Sequence, residues 1–135
     1  MDDKHKKIFK HFSNGITHNL ILWIIYKEPI HGYGIMKKLD EFFDFENSNC
    51  DLKATSSKVY QILTKMEKND LNIGEWKTSN NKQVKYYSIT EDGEIVLNNI
   101  KSNMKAVLKN ESWLNFIEDM VDRKIDVVNS DEECD

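Results

Sequence analysis

Polar side chains recur on one side of the segment from residue 55 to residue 69 if that segment is helical. At 100° per residue, its apolar side chains share the opposite side and would be buried; they are Val59, Ile62, Leu63 and Met66. The polar side holds Ser57, Gln61, Thr64, Lys65 and Lys68, with Tyr60 at its flank. The amide can pair with an adenine edge, the hydroxyls can bind bases or phosphates, and the lysines can neutralise phosphates. Such side chains are suited to reading the bases in a DNA groove. The alternative interpretation of this side of the helix is a polar surface that only faces solvent.

Other chemistries have little support in the sequence. No nucleophile is accompanied by a base and an orienting group, and no glycine-rich phosphate loop occurs. Cys50 and Cys134 lack metal-ligand spacing, and His31 beside Gly32 fits a turn or a phosphate contact better than a metal site. We therefore expect no enzyme activity, no cofactor and no metal.

The charge of the chain is unevenly distributed. Its 135 residues carry a formal net charge of -4, which argues against nucleic acid only if the charges are evenly spread. From Lys53 to Ile89 seven lysines stand against three acidic residues, whereas from Glu111 onward nine acidic residues stand against Arg123 and Lys124. This pattern fits either a DNA-binding surface kept away from an acidic end, or faces that are merely solvated.

The first part of the chain predicts helices separated by turns. Residues 1–14 fit a short amphipathic helix or arm, and Gly15 separates it from a helix over 16–27 that is apolar nearly all round. Pro29 ends that helix, and apolar side chains at helical spacing from Ile35 to Phe43 predict a second one. Residues 44–54 predict a loop before the third helix at 55–69.

The pattern changes after the third helix. Residues 71–77 and 84–89 are rich in β-branched and aromatic side chains and predict two strands joined by a polar loop at 78–83. A helix then begins at Thr90, and the apolar residues from Ile95 to Ile125 exceed what so small a domain can cover. We expect residues 94–126 to form one or two helices that pack against a second copy of the chain, and the acidic residues 127–135 to be disordered.

The order of helix, helix, helix, hairpin and helix is the winged helix-turn-helix arrangement, in which the third helix enters the major groove and the hairpin reaches the backbone or the minor groove. The predicted fold class is mainly α (α+β), with a winged helix-turn-helix domain at 15–93 and a C-terminal dimerisation helix. The longest apolar run, Leu20 to Tyr26, is too short to cross a membrane, so we expect a cytoplasmic protein without membrane contact.

Three segments resemble the PadR family of transcriptional regulators. They are residues 29–35 (PIHGYGI), 59–68 (VYQILTKMEK) and 85–93 (KYYSITEDG), within a similarity that spans residues 15–100. The resemblance implies a homodimer that uses its first and C-terminal helices to dimerise and usually represses transcription until an effector releases it. The chain departs from the family where Ser56-Ser57-Lys58-Val59 replaces Ser-Pro-Gly-Thr, and where Asp70 replaces a glycine, so that Asn69 or Asp70 must accept an unusual backbone conformation.

One hypothesis unites these observations: a symmetric dimer places two third helices in successive major grooves of a palindromic operator in double-stranded DNA, about 34 Å apart. The predicted DNA-binding residues are Tyr33, Ser56, Ser57, Lys58, Tyr60, Gln61, Thr64, Lys65, Asn81, Lys82 and Lys85. Trp113 and Trp23 are the candidates for a small-molecule effector pocket. The alternatives are a winged-helix scaffold that binds protein, and a metal-sensing regulator built on His31, Cys50 and the other histidines.

Overall fold

The computed structural model describes residues 2–44 and 52–125 of the chain. The helices are α1 (Asp3–Lys27), α2 (Gly32–Phe42), α3 (Ser56–Lys68), α4 (Glu91–Val107) and α5 (Glu111–Val121). The strands are β1 (Ile30–His31), β2 (Asn72–Ser79) and β3 (Lys82–Ile89). The predicted fold class is confirmed, because the described chain is mostly helical with a small antiparallel sheet in winged-helix order. The predicted acidic tail at 127–135 lies outside the described residues.

The described residues fall into two compact units, one up to Leu97 and one from Asn98 onward, and the boundary lies within α4. In the first unit, α1 is one continuous helix, so the predicted interruption at Gly15 is wrong. A glycine in a helix costs only about 1 kcal/mol relative to alanine. The side chain of Asp2 caps the helix by accepting a hydrogen bond from the backbone N–H of His5, at 2.9 Å, and the helix after Gly15 is held by the burial of Thr17, Ile21 and Ile25.

Helices α1, α2 and α3 share the core of the first unit. Each contributes apolar side chains at helical spacing, and the most deeply buried are Ile21, Ile25, Ile35, Leu39, Val59, Ile62 and Leu63. Thr17 is buried beside them, and its hydroxyl donates to the Ser13 carbonyl at 2.8 Å. Only one side of the apolar helix over 16–27 faces this core, because Trp23 and Tyr26 remain exposed.

The sheet of the described residues has the strand order β1-β3-β2, with both pairs antiparallel. Strand β1 was not predicted, because two residues are too few to show an alternating pattern; Ile30 pairs with Tyr87 and His31 with Tyr86. The hairpin of β2 and β3 is called the wing below. Its predicted loop at 78–83 is too long, since Asn80 and Asn81 alone form the turn.

Two local features set where the wing begins and ends. Asn80 and Asn81 have φ values of 52° and 65°, the positive pair that a type I′ turn requires and that Asn tolerates. Asp70 adopts φ 58° between α3 and β2, in agreement with the conformation predicted for Asn69 or Asp70. The Thr90 hydroxyl donates to the Asp70 carbonyl and accepts from the N–H of Gly93 at 3.0 Å, so one side chain caps α4 and holds the base of the wing.

In the second unit, α5 begins at a cap in which the side chain of Asn110 accepts from the N–H of Trp113, at 3.0 Å. It ends at Asp122, whose backbone is left-handed. The C-terminal region, left open as one helix or two, therefore forms two. No residue of α5, all of which the structure describes, is fully buried, and its exposed apolar side chains are Trp113, Phe116, Met120 and Val121.

Candidate nucleic-acid interface

The solvent-facing side of α3 is the first part of the candidate site. Ser57, Tyr60, Gln61, Thr64, Lys65 and Lys68 line one open, shallow depression and are called the polar face of α3 below. The opposite side is buried: Val59 and Leu63 are fully covered, and Ile62 and Met66 nearly so. The helix is therefore divided between core and solvent as its sequence predicted, and the candidate base-reading side chains share one surface.

The hydrogen bonds within α3 determine which of these groups are available. Thr55 provides the N-cap, since its hydroxyl accepts from the N–H of Lys58 at 3.2 Å, and the exposed Ser56 and Ser57 are not used for capping. The Thr64 hydroxyl donates to the Tyr60 carbonyl at 2.9 Å and can still accept a hydrogen bond. Within the described ranges, the Gln61 amide makes no hydrogen bond, so its donor and its acceptor are both available to a ligand.

The N-terminus of α2 lies beside this face. A Cβ atom at Gly32 would overlap the Tyr60 ring, so the start of α2 is in close contact with α3 there. His31 caps α2, because its Nδ1 accepts from the N–H of Gly34 at 2.8 Å, which supports the turn role predicted for it. Tyr33 is 66% exposed, and the Lys37 Nζ lies 5.4 Å from its ring centroid.

The wing is the second part of the candidate site. Asn81 belongs to its turn, and Lys82 is the first residue of β3, opposite Ser79; both are exposed. Lys77 is exposed on the same side of the sheet as Lys82, with its Nζ 5.2 Å from the Tyr86 ring centroid. Cations therefore lie at and near the tip of the wing.

Lys85 differs from these lysines because its ammonium has an acidic partner. Its Nζ donates to Glu67 Oε1 of α3 at 2.9 Å, and this hydrogen bond raises the pKa of Lys85 above the usual 10.5. The side chain is 25% exposed and that of Glu67 is 38% exposed. The sequence predicted Lys85 as a DNA-binding residue that contacts phosphate or the minor groove, and it gave no sign of Glu67, because no local pattern pairs two residues 18 positions apart.

Lys58 and Asn72 lie beside the two parts of the candidate site. Lys58 is half-buried, so less of its side chain is open to a ligand than sequence reasoning assumed. Asn72 was not predicted at all: its Nδ2 donates to the Leu63 carbonyl at 3.2 Å and joins β2 to α3. Among the described residues its Oδ1 is buried without a hydrogen-bond partner. The amide therefore helps to fix the wing beside α3 at a net cost of one unpaired acceptor.

The two candidate effector tryptophans lie in different compact units. Trp23 lines a pocket of about 160 Å³ with apolar and charged neighbours, which are Ile24, Lys27, Glu28, Ile30, Lys38, Glu41 and Phe42. Its ring makes an edge contact with Phe42, with centroids 6.0 Å apart. Trp113 of α5 makes a similar contact with Phe116 at 5.8 Å, and it is 49% exposed.

Other candidate chemistries find no assembled site in the described part of the chain. Over residues 2–44 and 52–125, no three His, Cys, Asp or Glu side chains are grouped to hold a metal ion. Cys50, which the metal-sensing alternative requires, lies outside those ranges. None of the helices in those ranges is long and apolar enough to cross a membrane.

Comparison with known proteins gives a consistent picture. A family model described as the transcriptional regulator PadR-like family matches residues 21–99. A PadR-like transcription factor from Bacteroides fragilis has 25% sequence identity and a TM-score of 0.63, over 76% of this chain and 93% of that one. A PadR-like regulator from Bacillus cereus has 30% identity and a TM-score of 0.57, over 69% and 84%. A PadR family regulator from Clostridium difficile has 25% identity and a TM-score of 0.58, over 69% and 91%. No curated protein matches the chain.

Proposed function

Because the chain belongs to the PadR-like family of transcriptional regulators, as its three sequence segments predicted, we propose that it represses transcription by binding a palindromic operator as a homodimer. The observation that carries this proposal is the polar face of α3, which presents an uncommitted glutamine amide, hydroxyls and two lysines on one exposed helix. A helix with this face fits the major groove of B-form DNA.

Base reading is assigned to the polar face of α3. The Gln61 amide can form two hydrogen bonds with an adenine. The Ser57 hydroxyl can donate to or accept from a base edge, and the Thr64 hydroxyl can accept from one. Tyr60 lies at the flank of this face, where the residue is 45% exposed. Lys65 and Lys68 lie toward the end of the helix and suit the phosphates beside the groove.

Phosphate binding is assigned to the wing and to the start of α2. Lys82 and Asn81 are exposed at the wing tip, and Tyr33 is exposed at the first turn of α2. A hydroxyl at a helix N-terminus and an ammonium on a hairpin are both common partners of the DNA backbone. The net charge of the whole chain does not oppose this assignment, because the segment from Lys53 to Ile89 is basic.

Dimerisation is assigned to the apolar side chains that the described structure leaves open on α4 and α5. Met104 and Met120 are 65% and 67% exposed, and Trp113 and Phe116 are about half exposed. Large apolar groups in such number on one short region are typical of an interface. A second copy of the chain is the partner that a symmetric operator requires.

A small-molecule effector would act on this dimer. The Trp23 pocket and the Trp113 surface each offer an aromatic wall, and a ligand bound to either would shift the dimer between states of different DNA affinity. The chain is proposed to regulate rather than to catalyse.

The test is a titration of the purified protein, at several salt concentrations, into labelled DNA from upstream of its own coding sequence and into a scrambled fragment of equal length. We expect tighter, salt-dependent binding to the upstream fragment. Absence of binding to both fragments at low salt would reject DNA binding and favour a winged-helix scaffold that binds protein.

A further inference from the structure

We propose that Lys85 is a positioning residue for DNA recognition, which ties the wing to α3 through Glu67 instead of binding a phosphate. The proposal rests on the DNA-binding function proposed above, and it reverses the role that the sequence suggested for this lysine. The residues around the Lys85 ammonium are Glu67, Gly74, Trp76 and Tyr87.

The path of the Lys85 side chain is shaped by its neighbours in the sheet. Lys85 lies directly opposite Trp76, and Gly74 lies opposite Tyr87, so all four share one side of the wing. A Cβ atom at Gly74 would overlap the Lys85 Cε, so the missing side chain leaves the space in which the lysine chain lies. The strand sequence thus accommodates a lysine that crosses β2 toward α3.

The end of this path is an ion pair with aromatic neighbours. The Lys85 Nζ is 2.9 Å from Glu67 Oε1, 5.3 Å from the Tyr87 ring centroid and 5.9 Å from that of Trp76. Carboxylate and aromatic faces both attract an ammonium, and the partial burial of the pair weakens competition from water. Lys82, which the chain exposes at the wing tip, has no such set of contacts among the described residues.

This arrangement makes Lys85 a poor phosphate ligand. Its charge is already compensated, and moving it to DNA would leave the Glu67 carboxylate unpaired close to a polyanion. A lysine that neutralises no phosphate releases no counterion and does not contribute to the salt dependence of binding.

The same arrangement can set the geometry of recognition. Lys85 is three residue pairs from the wing tip, about 10 Å at the rise of a β-strand. Glu67 is six residues after Gln61, about 9 Å along the helix axis. The ion pair therefore joins the two recognition elements partway along each, and it fixes the distance between base-reading and phosphate-binding groups.

The experiment compares the double variant Lys85→Met/Glu67→Gln, which removes the whole ion pair, with Lys82→Met, which removes one exposed cation. For each variant the affinity for upstream and scrambled DNA is measured over a range of salt concentrations. We expect Lys82→Met to lower the slope of log K against log salt by about 0.9 and to leave the preference for upstream DNA unchanged. We expect Lys85→Met/Glu67→Gln, which leaves no bare carboxylate beside the DNA, to keep the slope unchanged and to lower the preference about fivefold, an effect of the size seen between coupled neighbours.

Two further variants separate positioning from loss of folded structure. Glu67→Gln releases the Lys85 charge and should steepen the slope by up to about 0.9 on both DNAs, a change that destabilisation alone does not produce. Lys85→Arg can keep the carboxylate pair and should retain the preference. A slope for Lys85→Met/Glu67→Gln that falls as much as that of Lys82→Met would overturn the proposal.

A measurement without DNA keeps this proposal distinct from the proposed function. In urea unfolding of the full chain, Glu67→Gln and Lys85→Met should be non-additive, with the double variant about as stable as the weaker single variant. Additive losses would show that the two residues are not coupled and would overturn the positioning role. Failure of the wild type to prefer its upstream DNA would instead reject the proposed function.

Discussion

Gly32 and Tyr60 are in direct apposition where the N-terminus of α2 meets the polar face of α3. A Cβ atom at position 32 would overlap the hydroxyl and ring of Tyr60. Gly32 is buried, whereas Tyr60 is 45% exposed, so the ring can move only outward. The glycine thus determines where the tyrosine lies on the surface proposed to face DNA.

Gly32→Ala should displace Tyr60 at a modest loss of stability. Alanine favours a helix over glycine by up to about 1 kcal/mol, but overpacking costs about 1–3 kcal/mol, so we expect a net loss of about 1 kcal/mol. Urea unfolding measures the change. The matched control is Gly32→Ala in a Tyr60→Ala background, where the overlap is absent and the substitution should be neutral or stabilising. An equal loss in both backgrounds would contradict the explanation.

Gln61→Ala should reduce discrimination between DNA sequences. Removing one bidentate base contact is expected to narrow the difference in binding free energy between upstream and scrambled DNA by about 1–3 kcal/mol, with little change in folding stability because Gln61 is exposed. Parallel titrations of both DNAs give this difference. The control is Lys68→Ala on the same face, which should weaken both complexes alike. Equal weakening by Gln61→Ala would argue against base reading.

Stability should decline at alkaline pH because of the wing. Burial raises the pKa of Tyr87 above its usual 10.0, and the hydrogen bond to Glu67 raises that of Lys85 above 10.5. In both cases the folded protein keeps a proton that the unfolded chain has already released. The resulting stabilisation is therefore complete below the ordinary pKa values and is lost as the pH rises through the pKa values of the folded state.

Unfolding at a series of pH values from 7 upward tests this sign. We expect a falling free energy of unfolding above about pH 10, and a smaller fall in Lys85→Met and in Tyr87→Phe. Increasing stability above that pH would show that the assigned directions are wrong.

Met120→Glu should weaken dimerisation. Met120 is 67% exposed on α5 and shares a side of the helix with Trp113 and Phe116. Losing the burial of a methionine at an interface is expected to cost about 1.5–3 kcal/mol, which raises the dimer dissociation constant by about 10- to 100-fold. Sedimentation equilibrium measures this constant. Asn115→Glu adds the same charge to the opposite side of α5 and should leave the dimer dissociation constant unchanged. An equal rise of the constant in Asn115→Glu would point to destabilisation of the helix.

Sequence reasoning succeeded where local pattern and structure coincide. The buried and polar sides of α3 follow from helical spacing between Val59 and Met66. The left-handed conformation of Asp70 was expected at Asn69 or Asp70 because the PadR family has a glycine before β2. It failed where tertiary contacts decide. Strand β1 exists only because Ile30 and His31 pair with β3, and α1 continues through Gly15 into the part of the helix that is buried in the core.

In the candidate site too, the sequence predicted the features that local pattern determines and missed those that tertiary contacts determine. Exposure of Gln61 and Lys82 could be predicted from periodicity and from the hairpin pattern. The partner of Lys85 could not, because the contact joins β3 to α3 across the space above Gly74. From sequence alone, a lysine in a wing is predicted to bind DNA. Only the fold shows that a carboxylate lies within reach of its ammonium group.

The turn between β2 and β3 also limits how the wing can change during evolution. Its two positions have positive φ, which glycine, asparagine and aspartate accept with little strain and lysine or arginine do not. A mutation that introduces a cation at the tip would therefore strain the hairpin. We therefore expect added or lost cations at the strand ends, at positions such as Lys82, and an uncharged or acidic turn.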